Sequence, residues 1–173
     1  MTQQLEGAVA ALDFIEAHLC EPITVGDIAE AAGYSLFHFI RTFNGIVRHT
    51  PYDYLMRRRL SHAALQLLNT DALVLEIALT CQFESHEGFT RAFGRLFGVP
   101  PTTWREQGFA DRRRLMPPLQ QADLIFRQGL CYEPPEVMHL DRMFLTGWMD
   151  IITPEGNQFL EFQRLFAQSL AEN

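Results

Sequence analysis

Fourteen side chains of this chain are basic, and every one is an arginine. A guanidinium is planar and always charged. Its fixed fork of donors fits two phosphate oxygens, or the O6 and N7 edge of a guanine, where an ammonium offers a point charge. Two of these arginines stand in closely similar surroundings. Arg41 lies in SLFHFIRTF (35–43) and Arg91 in SHEGFTRAF (85–93), so S-x-x-x-F-x-R-x-F occurs twice, fifty residues apart. Each copy is followed, eight residues after its last Phe, by a proline, Pro51 and Pro101. Basic charge gathers around the copies. Arg41, Arg48, Arg57, Arg58 and Arg59 face only Asp53 over 35–59, and Arg91, Arg95 and Arg105 face only Glu87 over 85–105. Residues 1–34 hold six acids and no cation, and the whole chain carries −7. The net charge argues against a polyanionic partner, and the clustering argues for one.

Other chemistries find little support. His38, His49, His62 and His86 have no spacing that makes a metal site, and His38 reads as a packed or capping residue. Ser85 has no base specified beside it and reads as a helix cap. There is no paired acid and base and no glycine-rich phosphate loop, so neither catalysis nor a cofactor is expected. Cys20, Cys81 and Cys131 are odd in number and form no C-x-x-C, which fits a reduced, cytoplasmic protein. The N-terminus lacks a basic n-region and a cleavage site, and no apolar run approaches the ~18 residues of a membrane span.

The elements that would position the arginines follow from periodicity. Leu5, Ala8, Val9, Leu12, Ile15 and Leu19 predict an amphipathic helix over about 4–20, stopped by Pro22. Thr24, with Asp27 three residues on, opens a helix over 24–32 with Val25, Ile28 and Ala29 inward and Gly33 just past its end. Ser35 is an N-cap for a helix over 36–47 that turns Phe39, Phe43 and Ile46 inward. Pro51 opens a long helix to about Leu68, ~27 Å at ~1.5 Å per residue, whose inward positions run from Tyr54 to Leu68.

The pattern then repeats. LVLEIALTCQF (73–83) aligns with TVGDIAEAAGY (24–34), and a helix over 86–97 turns Phe89 and Phe93 inward and ends at Gly98. Glu84 is an extra residue in this copy. A short last helix starts near Pro101 and holds Trp104 in the core. Helix, short turn, helix is helix-turn-helix geometry. The fold class is therefore mainly α: two such units joined by a long linking helix, followed by an incomplete α+β segment. Helices 36–47 and 86–97 are the candidate recognition helices. The outer face of the first holds Phe37, Arg41, Asn44 and Arg48; that of the second holds His86 or Glu87, Thr90 or Arg91, Gly94 and Arg95. Residues 108–135 read as a linker, with a strand over 136–152 and a helix over about 155–170 beyond it.

Over residues 5–107 the sequence resembles the AraC/XylS family of bacterial transcription activators. IAEAAGYS, HFIRTF, TPYDYLMRRRL, FTRAF and FGVPPTTWR carry the resemblance. It is nearest the Mar/Sox/Rob branch, which bears its DNA-binding half at the N-terminus. PPEVMHLDRMFLTG is similar to the opening of a Rob-like, gyrase-inhibitor-like effector-binding domain. The resemblance implies a DNA-binding domain at 1–107, a linker at 108–135 and part of an effector-binding domain at 136–173. It implies a monomer on double-stranded promoter DNA, contact with RNA polymerase, and a small hydrophobic or cationic effector in a longer protein. Base contacts fall on Phe37, Ile40 and Arg41, and on His86, Glu87, Thr90 and Arg91. Phosphate contacts fall on Asn44, Arg48, Arg57, Arg95 and Thr102. Ile40 stands where the branch often has Gln, Glu87 replaces a polar amide, and Arg48 takes the place of the usual Gly. The acidic residues Glu6, Asp13 and Glu16 offer one surface for RNA polymerase. Of the strut arginines Arg58 and Arg59, one is expected to be structural, with Arg59 bracing the two units.

Overall fold

A computed structural model describes residues 3–108 and 114–127. All of them belong to one compact unit bounded at Tyr132. The predicted strand over 136–152 and helix over 155–170 lie outside the described residues. Among the described residues the structure is helical, with no strand.

Helix α1 (Gln3–Ala17) buries Leu5, Ala8, Leu12 and Ile15 as its periodicity predicts. It ends three residues short of the expected boundary, and Leu19 is buried from the turn that follows. Glu21 precedes a proline and is biased away from helical backbone, so the chain leaves the helix early. Helix α2 (Val25–Ala31) opens on a complete capping box: Thr24 Oγ1 accepts from Asp27 N at 3.3 Å, and Thr24 N donates to Asp27 Oδ2 at 2.7 Å. Gly33 then turns the chain with φ +72°. Helix α3 (Leu36–Val47) buries Phe39, Phe43, Ile46 and Val47. Ser35 holds the N-cap position, but its hydroxyl makes no cap hydrogen bond.

Helix α4 (Pro51–Asn69) is the strut, 19 residues and ~28 Å long. Thr50 caps it through Asp53 N at 3.2 Å. Helices α5 (Val74–Thr80) and α6 (His86–Phe97) repeat the lengths of α2 and α3, 7 and 12 residues. Ser85 caps α6 through Gly88 N at 3.1 Å. In the second turn Gln82 takes the left-handed backbone that Gly33 takes in the first, with φ 64°. Its side chain donates to Cys20 O at 2.6 Å, which ties that turn to the turn after α1 in the first unit. Helix α7 (Pro101–Gln107) buries Trp104.

The two units have separate cores, and α4 serves both. Its first half places Tyr54 and Leu55 against α1, α2 and α3. Its second half places Leu60, Ala63, Ala64 and Leu67 against Ile77, Ala78, Phe89, Phe93 and Trp104. Each core is built round an aromatic set: Phe39, Phe43 and Tyr54 in one, Phe89, Phe93, Phe97 and Trp104 in the other. Arginines brace the helix ends. Arg59 donates to Leu19 O at 2.9 Å and Glu21 O at 2.6 Å beyond α1, and Arg105 to Leu67 O at 3.1 Å and Ala72 O at 2.6 Å beside the end of α4. Arg58 grips both Glu16 carboxylate oxygens, at 2.7 and 2.8 Å. Both Arg58 and Arg59 are therefore structural, where one was expected.

The reading of 108–135 as a linker is corrected over the part that the structure describes. Residues 114–127 fold back, and the last seven form helix α8 (Gln121–Arg127). Leu119 and Leu124 enter the first core. Burying a leucine side chain is worth roughly 1.5–3 kcal/mol, enough to hold a short segment whose own helical preference is weak.

Candidate nucleic-acid interface

Helices α3 and α6 occupy 36–47 and 86–97, the bounds read from the sequence. Inward phenylalanines fix the rotation of each helix, which leaves the outer face to solvent. On α3 that face holds Phe37 at 80% exposure and Ile40 at 40%, with Arg41, Asn44 and Arg48 also exposed. On α6 it holds His86, Glu87, Arg91 and Arg95. The side chains of Arg41, Arg48, Arg91 and Arg95 make no hydrogen bond or ion pair with another described residue, so their forks are open to an external acceptor. A phenylalanine this exposed, beside Leu36 at 49%, forms an apolar strip that favours cover by an apolar group.

Four expected contacts have features of their own. Thr90 is half-buried, and its hydroxyl oxygen is buried without a partner among the described residues. Glu87 sits in the first turn of α6, where the helix dipole favours a carboxylate. Its presence is thus accounted for by the helix before any base is considered. Arg57 donates from Nε to Asp53 Oδ2 at 2.9 Å, and His49 Nδ1 lies 2.8 Å from the same oxygen. Burial works to raise the Asp53 pKa, but the hydrogen bonds from His49 and Arg57 outweigh it and hold the carboxyl below its usual range. Arg57 therefore brings its charge to the surface partly neutralised. Thr102 is exposed in the first turn of α7.

Other groups are accounted for by packing. Trp104 Nε1 donates to Ala64 O at 3.2 Å, and the His38 ring lies 4.9 Å from that of Tyr34. Burial pushes the Cys81 thiol up to about 12, which removes it as a nucleophile at neutral pH. Among the described residues no helix is long and apolar enough to cross a membrane. Glu16, expected on a free acidic surface, is instead bound to Arg58, while Glu6 and Asp13 remain exposed. Sequence reasoning missed Arg114 and Arg127. Arg127 donates to Val47 O at the end of α3, and Arg114 to Phe97 O at the end of α6. Both partners are remote in sequence, and no local pattern marks them.

Residues 28–107 match the model of a family described as a helix-turn-helix domain. The chain is 36% identical over 109 residues to the transcriptional regulator Rob of Salmonella typhimurium, 63% of this chain and 38% of Rob. It spans well under half the length of that relative. It is 35% identical over 108 residues to the HTH-type transcriptional activator AarP of Providencia stuartii, 61% of this chain and 80% of AarP. Among solved structures, a transcriptional regulator from Chromobacterium violaceum, described as an AraC-type DNA-binding domain-containing protein, superposes with a TM-score of 0.57 at 28% identity. That match covers 61% of this chain and 94% of that one.

Proposed function

Because the chain belongs to the AraC/XylS family of helix-turn-helix, DNA-binding transcription regulators, we propose that it reads double-stranded promoter DNA with α3 and α6 in two adjacent major-groove segments. The observation that carries the reading is the pair of 12-residue helices, each anchored by buried phenylalanines and each carrying open guanidinium groups on its outer face. Arg41 and Arg91 take guanine O6 and N7, and Phe37 packs on a thymine methyl. Ile40, His86, Glu87 and Thr90 complete the base-facing set. Arg48, Arg95, Asn44, Thr102 and the partly neutralised Arg57 meet phosphates and set register. One chain supplies both reading heads, so it acts as a monomer in the cytoplasm. Activation then comes from contact with RNA polymerase, for which exposed Glu6 and Asp13 on α1 offer an acidic surface.

The test is a selection of bound duplexes from a random pool, with sequencing. A motif in two blocks about one helical turn apart, ~34 Å, is expected. Arg41→Ala and Arg91→Ala then each weaken a different block, by ~1–3 kcal/mol. A single block means that one helix alone reads bases. No enrichment at all overturns the proposal.

A further inference from the structure

Both recognition helices end on a carbonyl capped by an arginine of one short segment. Val47 and Phe97 are the same position of the two repeats, the last residue of each 12-residue helix. Arg127 Nη1 donates to Val47 O at 2.6 Å, and Arg114 Nη1 donates to Phe97 O. The segment between these arginines is fastened to the strut. Arg58 Nη1 donates to Met116 O, Met116 N donates to Ser61 Oγ at 2.9 Å, and Leu119 N donates to Tyr54 Oη at 3.1 Å. Arg58, Ser61 and Tyr54 all lie on α4. Leu124 is fully buried in the first core. The segment is thus held in its middle by the strut and reaches one reading head with each end. A guanidinium at a helix C-terminus satisfies a carbonyl that has no partner within the helix, and it complements the helix dipole.

We propose that Arg114 and Arg127 are positioning residues for DNA reading, and that residues 114–127 clamp α3 and α6 at a set pitch relative to each other. The DNA-reading unit then runs to Arg127 and does not end near residue 107. The inference rests on the reading of α3 and α6 as recognition helices. The physical need is plain: two heads on one chain gain from each other only if both can engage at once, and that gain shrinks as the geometry between them loosens.

The test uses the full chain with Arg114→Met, Arg127→Met and the pair together, each checked for retained helicity by circular dichroism. Arg127→Lys and Arg114→Lys are the conservative controls. Without DNA, amide hydrogen exchange in the last turn of α3 should rise about tenfold in Arg127→Met, the scale of one charge-assisted hydrogen bond, and that of α6 should rise in Arg114→Met. Lysine should restore part of the protection. Unchanged exchange in both helices overturns the clamp. With DNA, the probe is the duplex recovered from the random pool, remade with the spacing between blocks one base pair longer or shorter. The unsubstituted chain should discriminate between spacings by about tenfold, and the double variant should lose most of that while its affinity for each block alone is unchanged. Equal discrimination in both proteins also overturns the clamp. A pool that returns a single block refutes reading by two heads, and one that returns no motif refutes the DNA reading; in either case hydrogen exchange decides the clamp by itself.

Discussion

Arg48 closes α3 with φ 63° and ψ 20°, where α6 has Gly98 at φ 78°. A residue with a Cβ in this left-handed region carries a cost of ~1–2 kcal/mol. Arg48→Gly removes that cost but gives the unfolded chain more freedom, which takes back ~0.5–1 kcal/mol. The net expectation is a fold more stable by ~0.5–1 kcal/mol, read from the urea midpoint at constant m-value. The Arg48 side chain is exposed and has no partner among the described residues, so nothing in the folded protein offsets the gain. DNA binding should move the other way. If Arg48 meets a phosphate, the slope of log K against log salt should fall by ~0.9, across specific and non-specific duplexes alike. A variant no more stable than its parent refutes the strain argument. A variant with an unaltered salt slope refutes the phosphate contact, whatever happens to stability.

Three further outcomes are expected. Arg58→Met leaves the Glu16 carboxylate, 24% exposed, without its bidentate partner. It should cost ~3 kcal/mol, the lower end for a broken buried pair, because Glu16 keeps some water; chemical denaturation checks it, and a loss under ~1 kcal/mol would show the pair to be solvent-screened. Leu124→Ala empties a fully buried site at the edge of the first core and should cost ~2–5 kcal/mol, seen first as faster proteolysis within 114–127. Asp53 titrates below its ordinary 3.8 when folded, so on acidification the unfolded state takes up the proton first. Its contribution is complete above that unfolded value and is lost as pH falls through the lower folded one. Asp53→Asn should therefore flatten the acid limb of the stability curve, and a limb of unchanged slope would remove Asp53 as a cause.

How much of this was legible in the sequence depends on how local the signal is. The bounds of α3 and α6 follow from a motif that occurs twice, and the second copy checks the first. Apart from Phe97, the aromatic residues of both cores follow from the repeated spacing and from the two proline-led helices. The strut arginines were harder. Three consecutive positions on a helix sweep ~200° of its surface, so composition cannot say which of Arg57, Arg58 and Arg59 turns inward. That depends on where α1 lies, and the structure turns two of them in, leaving Arg57 half-exposed. Helix α8 was missed because it has 7 residues, follows two prolines and fully buries only Leu124. What holds it in place is the burial of Leu124 and a hydrogen bond across 80 positions of sequence, from Arg127 to Val47. The missing cap at Ser35 is of another kind. The residue is right for the position, but its hydroxyl makes no cap bond, whereas that of Ser85 does.

The double use of α4 has a mechanical consequence. By its proline start and its buried Tyr54 it is the last helix of the first unit, the counterpart of α7 with Pro101 and Trp104. By Leu60, Ala63, Ala64 and Leu67 it is the opening helix of the second unit, the counterpart of α1. The two units are thus threaded on one screw. Between Leu55 and Leu60, where one core hands over to the other, inserting a single residue would turn one unit ~100° against the other and advance it ~1.5 Å. A whole turn would nearly restore the angle but lengthen the span by ~5.4 Å, more than the rise of one base pair. The register of this one helix therefore fixes the phase between the heads, and drift by insertion or deletion is closed to it.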